Sequence, residues 1–102
     1  MSVKISRKVN AMSDTILGGW TNFSFSLTED AKNVLKEALG GLVGVGYTPL
    51  ACATQVVAGI NYCFLCKRAV VYPNAPESVV KVYIYKPPTG PSHITEIVEV
   101  KP

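Results

Sequence analysis

Gln55-Val56-Val57-Ala58-Gly59 separates two apolar, β-prone runs, Tyr47 to Thr54 before it and Ile60 to Tyr72 after it. A glycine closing a short segment between two strands reads as a hairpin, because glycine takes the positive φ that a tight reversal needs. The composition is unusual for that role. Hairpin tips favour Asn-Gly or Asp-Gly, whereas this one carries Val-Val-Ala, and β-branched residues turn poorly. Local pattern leaves two readings open: a continuous buried strand with a glycine bulge, or an apolar hairpin built to enter a partner's cleft. In the second reading the Val-Val tip is strained.

Working outward, Trp20 to Ser26 alternates, with Phe23 and Phe25 on one face and Asn22, Ser24 and Ser26 on the other. That is the pattern of a first strand with one buried face, and Trp20 is expected to pack at its edge. Leu27 to Leu42 reads as a helix. Thr28 suits the N-cap, and Glu29 and Asp30 suit the positive end of the helix dipole. Ala31, Val34, Leu35, Ala38, Leu39 and Leu42 form an apolar stripe at helical spacing, and Gly40-Gly41 ends it. Ser78 to Lys86 alternates again, with Val80, Val82 and Ile84 on one face and Lys81, Tyr83 and Tyr85 on the other. Lys86-Pro87-Pro88-Thr89-Gly90-Pro91-Ser92 is a proline-stiffened reversal before a last strand, His93 to Val100. The order predicts an α+β domain, one α-helix packed across a five-stranded antiparallel β-sheet. Residues 1–15 are polar and basic without periodicity, so they read as a flexible N-terminal arm, and 16–102 as a single domain. Met12 offers a second start within that arm.

Composition narrows the function. The 102 residues carry a formal charge of +3, and the excess is local to Lys4, Arg7 and Lys8. No basic face interleaved with aromatics follows, so nucleic acid is not an expected partner. No run is apolar and long enough for a membrane span, and Lys4, Arg7 and Lys8 break up any secretory leader. Three cysteines, an odd number, then suggest reduced thiols and a cytoplasmic location. Cys63-Phe64-Leu65-Cys66 has C-x-x-C spacing, but residues three apart on a strand point to opposite faces. With His93 as the one histidine, no metal site or cofactor is expected. No nucleophile–base pair, carboxylate pair or phosphate loop suggests an enzyme.

The eight residues Gln55 to Tyr62 closely resemble the signature of the cystatins, inhibitors of papain-like cysteine proteases. The resemblance spans roughly Leu17 to Val100, and it implies a cystatin-like fold. Ile16-Leu17-Gly18-Gly19 is similar to the N-terminal trunk of that family, in which an apolar pair precedes a glycine that lies close against the protease. The Pro87–Pro91 loop falls at the second binding hairpin. It lacks the Trp of secreted members and is nearer the intracellular stefin type. The helix is shorter than in most members.

The resemblance implies a reversible, non-covalent inhibitor whose partner is a papain-like cysteine protease. Ile16, Leu17, Gly18, Gly19, Gln55, Val56, Val57, Ala58, Gly59, Pro87, Pro88 and Pro91 would form a wedge filling the active-site cleft. Nothing in the wedge would react. It also implies a monomer able to exchange strands around the hairpin into a domain-swapped dimer. The alternative is a non-inhibitory binding module of the same fold for another protein or ligand, since fold alone does not deliver function.

Overall fold

The computed structural model describes residues 19–102. The arm expected over 1–15 and the trunk residues Ile16, Leu17 and Gly18 lie outside the described residues. One helix, α1 (Glu29–Leu39), precedes four strands: β1 (Val45–Val57), β2 (Gly59–Val70), β3 (Glu77–Lys86) and β4 (His93–Val100). The strands form one antiparallel sheet in the order β1-β2-β3-β4, each paired with its neighbour in sequence. The architecture is therefore α+β, a helix packed on an antiparallel sheet.

Helix α1 starts where the sequence indicates. Thr28 is extended and its Oγ1 accepts a hydrogen bond from the Ala31 amide at 3.1 Å, satisfying one of the unpaired donors of the first turn. The helix ends earlier than the expected Leu42. Gly40 and Gly41 follow Leu39, and the last turn tightens through Leu42 N–H to the Leu39 carbonyl at 2.9 Å. Two glycines in succession make continuation costly. Leu42 thus falls off the stripe and is exposed, whereas Ala31, Val34 and Leu35 are buried.

Those three residues meet Cys52, Tyr62, Phe64, Cys66, Val80, Val82 and Ile84 in the core. Strand register explains the set. Cys52, Phe64, Val82 and Ile97 are successive cross-strand partners, as are Thr54, Tyr62, Ile84 and Ile94. Partners point to the same face, so these rows face α1 together, and a register slip opposite Tyr83 and Ile84 lets Ile94 and Ile97, three apart on β4, share that face. The Tyr62 and Phe64 rings stack with centroids 5.8 Å apart. Pro49 lies within β1 where the register slips between Pro49 and Ala51, leaving Leu50 as a bulge. The slip absorbs a residue that cannot donate to the ladder.

The expected first strand, Trp20 to Ser26, is replaced by two isolated bridges, Trp20 with Gln55 and Ser24 with Cys52. The sheet of the described residues accordingly has four strands, where the sequence suggested five. Between the bridges this segment spends four steps while β1 spends three, so one residue is out of register. Ser24 Oγ then accepts from the Ser26 amide at 3.2 Å, a local turn that leads the chain away toward α1. The expected burial of Phe23 and Phe25 fails for the same reason: Phe23 is 40% and Phe25 75% exposed. Trp20, 40% exposed, packs edge-on against Tyr83 on the face away from α1, with centroids 6.0 Å apart.

The two phenylalanine classes separate in a stability measurement. Phe64→Ala, at a fully buried site, should cost about 3–5 kcal/mol in urea unfolding. Phe25→Ala should stay within about 0.5 kcal/mol of the unmodified protein.

Candidate functional site

Gln55–Gly59 forms a hairpin, not a bulge within one continuous strand. Val57 pairs with Gly59, Val56 with Ile60 and Gln55 with Asn61, leaving Ala58 alone at the apex. Gly59 takes φ +105°, a backbone conformation that L side chains rarely adopt. Neither Val56 nor Val57 has a positive φ, the one such non-glycine among the described residues being Asn74. The turn is thus carried by Gly59, and the strain expected in Val-Val is absent at this level.

The tip projects beyond the third strand, since the last partner pair between β2 and β3 is Ile60 with Lys86. It is nevertheless held closely. A Cβ at Gly59 would lie 2.5 Å from the Lys86 carbonyl oxygen and 3.0 Å from the Tyr85 hydroxyl. That hydroxyl donates a short hydrogen bond to the Ala58 carbonyl. One step back from the tip, Asn61 Nδ2 donates to Gln55 Oε1 at 2.8 Å. Gln55, Asn61, Tyr85 and His93 are successive cross-strand partners on the face away from α1, and Trp20 bridges to Gln55 at the end of that row. The Tyr85 and His93 rings meet edge-on, 5.8 Å between centroids.

The β3–β4 loop lies at the same end of the sheet, because it follows Lys86, the partner of Ile60. Gly90 takes φ +107°, and Lys86 Nζ donates to the Gly90 carbonyl at 3.2 Å. Pro87 is half-buried, and Pro88 and Pro91 are exposed. The far side of the loop is tied to the helix. Ser92, buried, donates from its backbone N–H to Glu37 Oε1 at 2.9 Å, and its hydroxyl makes a second, short bond to the same oxygen. These two bonds hold the Glu37 carboxyl below its ordinary value, the hydroxyl bond first, with a smaller contribution from the Lys86 charge.

The sequence-derived residues divide accordingly. Gly19, half-buried, sits one residue before the Trp20–Gln55 bridge, so it joins Gln55–Gly59 and Pro87–Pro91 at one end of the sheet. Val56 is 47% exposed and Ala58 is exposed, while Gln55, Val57 and Gly59 are partly buried. Tyr85, Asn61, Glu37 and Ser92 were not anticipated.

The thiols contribute no obvious chemistry. Cys63 pairs with Tyr83 on the face away from α1, whereas Cys66 belongs to the helix-side core, as the spacing predicts. All three are free and buried. Burial pushes Cys52 up to about 12 and Cys66 up to about 11, and raises Cys63 as well, so none is a nucleophilic thiolate at neutral pH. Among the described residues no group of three or more His, Cys, Asp or Glu could hold a metal ion, and no helix is long and apolar enough to cross a membrane. Comparison with protein-family models, curated proteins and solved structures finds no match to this chain.

Two measurements test this geometry. Gly59→Ala combines an unfavourable φ with a backbone collision, so it should lower unfolding free energy by about 2–4 kcal/mol. Glu37→Gln removes a carboxylate whose folded value lies below its ordinary 4.5. A depressed value means stability that is present above 4.5 and lost as pH falls through the folded value. The stability gap between the unmodified chain and Glu37→Gln should therefore be flat at neutral pH and shrink in acid.

Proposed function

We propose that this chain is a reversible, non-covalent inhibitor of papain-like cysteine proteases, of the stefin type within the cystatin superfamily. The observation that carries the reading is the apolar tip Val56-Val57-Ala58, in which Val56 and Ala58 are exposed, held at the same end of the sheet as the Pro87–Pro91 loop. Val56, 47% exposed, stands beside the apex residue Ala58, and a partner that covered them would bury apolar surface. Two rigid projections side by side suit a cleft, and their rigidity lowers the entropy lost on docking. Gly19 lies against the same end, where Ile16 and Leu17 would extend the wedge along the protease. Val56, Val57 and Ala58 would occupy the centre of the cleft, and Pro87, Pro88 and Pro91 its other side. Gln55 and Gly59 would shape the tip. The working form is the monomer, because strand exchange at the hairpin would consume the tip, and the three free thiols suit a reducing, cytoplasm-like compartment.

One observation favours a second reading, a binding module of the same plan that inhibits no protease. Gln55 and Gly59, two residues of the signature, each have a structural duty here, Gln55 with Asn61 and Gly59 beneath Tyr85. Their presence is explained by the hairpin itself. Variants at these two positions would perturb the fold under either reading. Val56, half exposed and outside the core cluster, separates the two.

Titration of papain with the unmodified chain, followed by hydrolysis of a fluorogenic dipeptide substrate, should show tight and reversible inhibition. Val56→Ala should weaken it by about tenfold, the transfer value of two buried methyl groups, while leaving the unfolding midpoint unchanged. Absence of inhibition by the unmodified chain at micromolar concentration would sink the protease reading and leave the binding module.

A further inference from the structure

The apex of the first hairpin stands beyond the reach of the β-ladder. Lys86 is the last β3 residue paired with β2, opposite Ile60, so Val57, Ala58 and Gly59 have no third strand beside them. A two-stranded projection of this kind is marginal by itself. Two contacts cross the gap, and both come from the end of β3. The Lys86 carbonyl lies against Gly59, and Tyr85 reaches the apex with its ring edge and hydroxyl. The Lys86 contact is one of backbone with backbone. Tyr85 supplies a directed side-chain bond, to the carbonyl of Ala58, the one residue between the paired positions of β1 and β2.

We infer that Tyr85 is the positioning residue of the hairpin apex: its hydroxyl fixes the Ala58 peptide and so presents Val56, Val57 and Ala58 in one conformation for the partner. The part that concerns a protease partner rests on the inhibitor reading; the part that concerns the apex does not. Several features agree. The Tyr85 ring is flanked on one side by Asn61 and on the other by His93, its partners in β2 and β4. His93 meets it edge-on, so the ring is braced from the β4 side and the hydroxyl is aimed. Gly59 lacks the Cβ that would occupy this space, so the glycine and the tyrosine are complementary parts of one contact. Because Tyr85 stands one residue before the Lys86 that bonds Gly90, the same end of β3 supports both projections. An ordered apex binds with less entropy lost than a mobile one.

Tyr85→Phe tests the inference, since it removes the hydroxyl and keeps the braced ring. Thr95→Val is the matched control: it removes another hydroxyl-to-backbone bond onto β3, from Thr95 Oγ1 to the Tyr83 carbonyl at 3.2 Å, away from the apex. Backbone order parameters of Ala58 and Gly59, from nitrogen-15 relaxation, should lie near ~0.85 in the unmodified chain and fall toward ~0.6 in Tyr85→Phe. In Thr95→Val they should not move. Inhibition of papain should weaken about fivefold in Tyr85→Phe, the scale of one neutral hydrogen bond, and stay constant in Thr95→Val. An apex equally ordered in Tyr85→Phe and the unmodified chain would overturn the inference, whatever papain does. An apex that loosens, in a chain whose unmodified form leaves papain active, would uphold the role of Tyr85 and overturn the protease reading alone.

Discussion

The close approach of Gly59 to the end of β3 is the contact on which the shape of this molecule depends. At 2.5 Å from a notional Cβ, the Lys86 carbonyl leaves room for hydrogen and nothing larger. The same residue carries the positive φ that turns the chain. Steric and torsional demands therefore coincide at one position, and each would exclude other residues by itself. From that contact follow the overhang of the tip, the reach of Tyr85 to Ala58 and the proximity of the proline loop. A hairpin without it would be a free two-stranded arm.

Around this contact the remaining interactions set the stiffness of one end of the sheet. Ser92 joins the β4 side of the proline loop to α1 through Glu37, and Lys86 closes the loop onto Gly90. Behind them the core is aliphatic and aromatic, with Phe64, Val80 and Val82 fully buried in the face that α1 covers. Burial of this kind is nondirectional, and it holds the sheet against the helix without choosing a loop conformation. The directed bonds at the sheet end make that choice. The division of labour gives an exposed apolar tip on a rigid support, which is what the proposed inhibitor requires and what an ordinary surface loop lacks.

Much of the fold was legible in residue pattern. Alternation in Ser78–Lys86 placed Val80, Val82 and Ile84 on the buried face, and Thr28 announced the start of α1. The segment Trp20–Ser26 misled, because alternation reports only that a strand is compatible. It carries no information about a register slip against a distant partner, and Ser24 competes for its own backbone. The end of α1 was misjudged because Leu42 continues the stripe past a glycine pair that breaks the helix. At the candidate site, the hairpin residues were visible as a contiguous motif. Tyr85, Glu37 and Ser92 were not, since they act through contacts 27 and 55 residues apart in sequence, and single-chain periodicity has no reach over such distances.

In the proposed inhibitor one end of the sheet, and no other surface, occupies the protease cleft. This is tested most directly by adding papain with its catalytic cysteine blocked as a small mixed disulfide to the nitrogen-15-labelled chain and mapping amide shifts. Blocking prevents cleavage while leaving the cleft open to a wedge that needs no reaction. The expected shifts are confined to Gly19–Trp20, Gln55 to Asn61 and the amides of residues 86–92, saturating together at one equivalent. Shifts centred on α1 or on the opposite end of the sheet, or none at all, would contradict it.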